Sequence, residues 1–235
     1  GVQMISRSRN LYGPYETKVL IEDDINYAGA GVHQGGYVET AEGESWAYTF
    51  QDRDYMGRCL MLYPMKWEND WPVVGPEGKP GKGVVTYRKP AIRGKHKMKY
   101  PQHSDDFTES ELAQIWEFNH VPHKEKWSLK DRPGYFRIYA RYARGFYWAR
   151  NSLTQKVTGP YSNGTVLLEP AGLQEGDFAG NGIMGRMMYQ FGVRKKKGRF
   201  WLEMRQSYRD AGEEVVDSLE LGDIAKIYLR TETTK

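Results

Sequence analysis

Gly31-Val-His-Gln-Gly-Gly-Tyr-Val-Glu-Thr40, followed by Ala41-Glu-Gly-Glu-Ser-Trp-Ala-Tyr-Thr-Phe50, is the stretch from which the fold is read. Two β-prone runs, Gly36–Thr40 and Ser45–Phe50, flank Glu42-Gly43, a tight-turn pair, and so read as a hairpin. Glycines at its head let the backbone pass close to an axis, a ligand or another strand. A histidine at the strand start, His33, is placed to meet a metal, a water or a sugar hydroxyl. A hydrogen-bonded turn histidine fits the same pattern.

Outward from this hairpin the texture repeats. Gly and Pro punctuate short runs such as Arg58–Tyr63, Tyr135–Tyr139, Thr165–Glu169, Arg199–Met204 and Ala225–Arg230. Several alternate apolar with polar residues, the period of half-buried strands. Helical periodicity is weak throughout. The best candidate is a short helix over Thr108–Trp116 with Thr108 as its cap. The expected class is all-β.

Residues 78–101 are rich in Gly, Pro and Lys and poor in apolar side chains, so they read as a linker or strap between residues 1–77 and 102–235. Arg194, Lys195, Lys196 and Lys197 precede Gly198 and read as a solvated turn; without a finger, an RNA-binding signature or a basic heptad they give no nucleic-acid site. The single cysteine, Cys59, allows no intrachain disulfide, which leaves the compartment open; a periplasmic or extracellular setting is favoured over the cytoplasm. No apolar run is long enough to span a membrane as a helix. Seven Trp and 17 Tyr exceed what a small core needs and suit both strands and the apolar face of a pyranose.

A second stretch, Phe50-Gln-Asp-Arg-Asp-Tyr-Met-Gly-Arg58, leads into Leu60–Trp67 and Trp71-Pro72. Arg58 could bond a carboxylate or sugar hydroxyls with its planar fork, or lie on a surface loop.

Taken in order, these stretches resemble glycoside hydrolase family 43, five-bladed β-propeller enzymes acting on xylosides and arabinosides. Ile5–Glu16 is similar to the closing strands of the fourth blade, and Val32–Gly75 to the fifth. Ser104–Phe107, Trp116–His120, Lys126–Leu129, Arg132–Arg137, Leu153–Gln155 and Gly176–Gly180 resemble the concanavalin-like β-sandwich that follows. The resemblance implies a partial propeller at 1–77, a jelly-roll at 102–235, and an inverting exo-hydrolase acting on xylo- or arabino-oligosaccharides. It places the two aspartates and the glutamic acid of catalysis upstream of residue 1, so no catalytic residue is expected here. It implies that His33 lies near the propeller axis and helps hold a central water or calcium, and that Arg58 reaches the innermost sugar. Trp116 and Phe118, with Asn119 and His120, would edge the substrate pocket or simply form a core strand and turn.

Glu16 follows its Gly-Pro where the family's acid precedes one, so its expected role is structural. Glu22, Asp23 and Asp24 read as a solvated turn, with a cation site as the other reading, and His96, His103 and His123 as solvated. The sandwich looks short of strands, which suggests a fragment, a divergent short sandwich, or pairing with a second copy, and the partial propeller suggests a missing N-terminal propeller part or a homo-oligomer. Two other readings stay open: a non-catalytic carbohydrate-binding sandwich and an inactive remnant.

Overall fold

The computed structural model describes every residue except Ala28, Pro101, Asp210 and Lys235. Among the described residues all regular structure is strand, apart from short 3₁₀ turns. No helix is long and apolar enough to cross a membrane. The chain divides into two compact units, residues 1–53 with 57–98 and residues 54–56 with 99–235.

The first unit holds β1 (Gln3–Arg7), β2 (Glu16–Ile21), β3 (His33–Glu39), β4 (Ser45–Asp52), β5 (Arg58–Glu68) and β6 (Trp71–Val74). β1 and β2 form an antiparallel pair, and β3-β4-β5-β6 a four-stranded meander in chain order, the form of a propeller blade. The β3–β4 turn closes with Thr40 N–H donating to Glu44 O at 2.8 Å, and Gly43 sits at φ +83° where a side chain would be strained. Alternation puts Ala47, Thr49 and Gln51 of β4 out of water, Trp46 is buried on the opposite face, and Ile21, Ile25, Val32, Met65 and Val74 complete the core around Ala47 and Tyr63.

Gln51, fully buried, ties the 22–32 loop to β4. Its Nε2 donates to Asp24 O at 2.5 Å and Ala30 O at 2.6 Å, while its Oε1 accepts from Arg53 Nε at 2.8 Å. The acidic loop is not simply solvated. Asp23 is half-buried and accepts from the backbone N–H groups of Ile25 and Gly83. Burial alone would raise its pKa, but those N–H bonds and Lys82 hold it below the ordinary carboxylate value.

The Gly-, Pro- and Lys-rich stretch is pinned to this unit along its first part. Gly81 N–H donates to Val74 O, and Gly81 O accepts from Glu22 N–H. Arg88 pairs with Glu44 at 2.7 Å, and Ala91 N–H donates to Glu44 at 2.8 Å. Glu44 is drawn down to about 2, first by the Arg88 hydrogen bond and then by the Ala91 amide.

The second unit contains short strands β7 (Glu117–Phe118), β8 (Trp127–Ser128), β9 (Arg137–Ile138) and β10 (Leu153–Thr154), then β11 (Ser162–Leu168), β12 (Phe178–Ile183), β13 (Met187–Lys196), β14 (Arg199–Tyr208), β15 (Glu214–Gly222) and β16 (Ile227–Thr233). β12-β13-β14-β15 make an antiparallel sheet, and β11 pairs with β16. The expected helix at Thr108–Trp116 is absent. Asp105 and Asp106 side chains accept from the Phe107 and Thr108 amides, and Thr108 Oγ1 donates to Asp106 rather than capping a helix.

The basic run also differs from expectation: Arg194, Lys195 and Lys196 end β13, and only Lys197 and Gly198, both at positive φ, form the turn. Arg194 pairs inward with Glu203 at 3.2 Å, and Lys195 lies over Phe200. Arg205 bridges Glu203 (2.6 Å) and Glu213 (3.0 Å), and Glu213 also accepts from Gln190. Glu203, Arg205 and Gln190 are buried, and mutual pairing offsets the desolvation they suffer.

Candidate functional site

The blade brings His33 and Arg58 to one corner. Opposite residues in the ladder are His33 and Phe50, then Asp52 and Arg58. A register shift between His33 and Gly36 bulges β3, with Gln34 at φ +49°, and a bulge re-aims the side chains beside it. Gly35 is required by close approach: a Cβ there would stand 1.8 Å from Tyr48 O. The β4–β5 connection closes with Arg53 N–H donating to Gly57 O at 2.8 Å, and Gly57 takes φ +69° just before Arg58.

Both side chains then share two neighbours. The His33 ring meets Phe50 edge-on at 4.8 Å, and the Arg58 guanidinium carbon lies 4.5 Å from the Phe50 centroid. Asp52 places one carboxylate oxygen 3.9 Å from His33 Nε2 and the other 3.6 Å from Arg58 Nε. Arg58 makes no hydrogen bond to the described residues, so its planar donors face outward, 67% of the side chain being exposed. A cation set on an aromatic face beside an oriented carboxylate is a fork ready for vicinal hydroxyls. Sequence reasoning missed Phe50 and Asp52. Their signal was positional, since each lies directly across a hairpin from a residue already singled out.

Trp116 and Phe118 lie elsewhere, in the second unit. Trp116 stacks on Phe107 at 5.6 Å and donates its indole N–H to Asp105 at 2.8 Å. Phe118 packs on Trp127 at 5.5 Å and Phe136 at 6.3 Å. Their faces are thus engaged in an aromatic cluster. Asn119 donates to the carbonyls of Tyr147 and Ala149, and His120 stacks on Trp148. Glu16 is paired with Arg7 at 2.9 Å across β1 and β2.

Among the described residues no group of three or more His, Cys, Asp or Glu side chains could hold a metal ion. His33 and Asp52 alone do not make the oxygen-rich shell that calcium takes.

Residues 104–235 match the family described as the β-xylosidase C-terminal concanavalin A-like domain. The chain is 35% identical to a putative β-xylosidase of Xylanibacter ruminicola over 198 residues, 83% of this chain and 37% of that protein. It is 30% identical to a β-xylosidase of Formosa agariphila over 237 residues, covering 86% and 39%. A solved bifunctional GH43-CE protein of Bacteroides eggerthii superimposes with a TM-score of 0.82 at 32% identity, over 98% of this chain and 29% of that one. The chain therefore spans less than two fifths of the length of these relatives. With a meander blade in the first unit and this match across the second, the chain belongs to glycoside hydrolase family 43, its residues 104–235 being the C-terminal concanavalin A-like domain of the β-xylosidase type.

Proposed function

We propose that the chain serves an exo-acting glycoside hydrolase that cleaves xylosides or arabinosides, and that the blade corner contacts the terminal sugar. The observation that carries the reading is the convergence of His33 and Arg58 on Phe50 and Asp52. Arg58 donates to sugar hydroxyls, Asp52 orients it, and His33 borders the ring or a water. An inverting hydrolase needs two carboxyl groups on opposite sides of the scissile bond, about 6.5–9.5 Å apart. Asp52 faces cations rather than a second carboxyl group, so the acid and base of this proposal come from other blades of the propeller. Toward calcium, His33 acts at most through a water.

The edging role of Trp116 and Phe118 is indirect in this reading: they pack in an aromatic cluster, and Asn119 and His120, next along the chain from Phe118, hold the 146–149 loop. Incubation with chromogenic β-xyloside and α-arabinofuranoside tests the proposal. The chain by itself gives no turnover above the uncatalysed rate, and turnover by the chain alone, whether or not it survives Asp52→Asn, would overturn the assignment of the acid and base to other blades.

A further inference from the structure

Residues 78–104 contain eight Lys and Arg and no Asp or Glu. The structure engages the two arginines of this stretch and leaves lysines over. Arg88 pairs with Glu44 at 2.7 Å, and Arg93 Nε stands 3.5 Å from Glu42, so both carboxylates of the β3–β4 turn are taken. Lys89, Lys95 and Lys97 are exposed, and their side chains have no hydrogen bond or ion pair among the described residues.

The strap that carries them is held at its base. Ala91 N–H donates to Glu44 at 2.8 Å, Gly94 turns the chain at φ +89°, and His96 Nε2 meets Arg93 O at 2.9 Å. From Lys95 the chain runs on to Tyr100 with neither bend nor turn. In extended backbone successive side chains take opposite sides. Lys95 and Lys97 therefore share one side, about 6.5 Å apart along the chain, and the sequence continues their alternation with Lys99. His96 and Met98, with Tyr100 next in the same alternation, take the other side. The lysine spacing is shorter than the Debye length of about 8 Å at physiological salt, so these charges repel one another and act together on an anion.

We infer that the strap is an electrostatic capture site for an acidic polysaccharide, a linear glycan that carries uronate carboxylates along its length. A bilayer would need apolar groups beside the cations, but Met98 takes the side opposite the lysines and Ile92 precedes the turn at Gly94. A single-stranded nucleic acid would need rings for its bases, and the lysine side of the run carries none. A polyuronate needs only the row of charge. The choice of a glycan rests on the proposed hydrolase reading. The strap uses no residue of the blade corner, and its binding is read without turnover, so either site can fail while the other holds.

The test is retention of the whole chain on immobilised glucuronoxylan, and on the same xylan after reduction of its carboxyl groups to alcohols, with elution by a salt gradient at neutral pH. Retention is expected on the acidic glycan alone, and it should be lost before about 1 M salt, where the Debye length is about 3 Å. K89Q/K95Q/K97Q should weaken it about tenfold, the joint worth of three exposed charge contacts. K195Q/K196Q/K197Q removes the same charge from the β13–β14 turn and should leave it unchanged. Because the two glycans are compared on the unaltered chain, the result does not depend on a variant's folding. Equal retention on both glycans, or the same loss in both triple variants, would overturn the inference. Displacement of the chain by anionic vesicles or single-stranded DNA at a tenth of the carboxylate concentration that soluble glucuronoxylan requires would overturn it as well.

Discussion

Asp52 and Arg58 face each other directly across the last rung of β4 and β5, with Asp52 Oδ1 3.6 Å from Arg58 Nε and the guanidinium lying over Phe50. The pair is exposed, so its worth to stability is small, about 0–1 kcal/mol. Its consequence is orientation. Asp52→Ala is expected to leave the unfolding midpoint nearly unchanged while weakening saccharide binding at the blade. Arg58→Lys should not restore what Arg58→Ala loses, because an ammonium cannot form two parallel bonds. Thermal unfolding and ligand titration of the same samples separate the two effects.

Gln51 is a fully buried polar residue that joins β4 to two carbonyls of the preceding loop. Replacing it with Leu leaves the carbonyls of Asp24 and Ala30 without their donor in a fully buried place. The expected cost is about 2–3 kcal/mol, since an unmet buried group loses its full hydration. Urea unfolding followed by the indole N–H NMR signal of Trp46 measures it, and a loss within error of zero would mean that water reaches those carbonyls.

Gly35 and Gly43 give opposite tests of glycine. At Gly35 an added Cβ would collide with Tyr48 O at 1.8 Å, a backbone atom that cannot swing aside. Gly35→Ala should therefore cost about 3 kcal/mol or displace the start of β3 together with His33. Gly43 has open space around it, and only its φ of +83° resists a side chain. Gly43→Ala should cost about 1 kcal/mol. Chemical denaturation of both variants ranks them, and the reverse order would contradict the β3 bulge.

Acid should loosen the strap before it unfolds the blade. Glu44 is depressed to about 2 in the folded chain by Arg88 and the Ala91 amide, against an ordinary value of 4.5. A depressed carboxylate contributes fully above its unfolded pKa, and the contribution is lost as pH falls through the folded one. Amide exchange at Ala91 should accordingly quicken between pH about 4.5 and about 2, beyond the intrinsic pH effect, and Glu44→Gln should abolish that dependence. Asp23, also depressed, adds to the loss in the same direction at the Gly83 amide.

The strands read in advance were legible because alternation and turn residues agree: the hairpin of β3 and β4, the run into β5, and β14 all carry both signals. The two-residue strands β7 to β10 carry no period at all, and nothing short of tertiary packing places them. The helix expected at Thr108–Trp116 fails because Asp105 and Asp106 take up the local amides first. Arg194 was read as turn because it precedes a glycine, yet its partner, Glu203, sits on the next strand where no local pattern could reveal it. His33 and Arg58 were singled out one at a time from their own stretches, and the resemblance supplied their expected roles. That they share Phe50 and Asp52 is a matter of register, visible only once the strands are paired.

Amide chemical-shift mapping of the isotope-labelled chain against D-xylose and L-arabinose puts the central claim at most direct risk. The account requires the largest shifts at His33–Gly35 and Gly57–Arg58, saturating with one apparent affinity and lost in Arg58→Ala. Saturable shifts confined to other residues, or none at the blade corner at any sugar concentration, would contradict it.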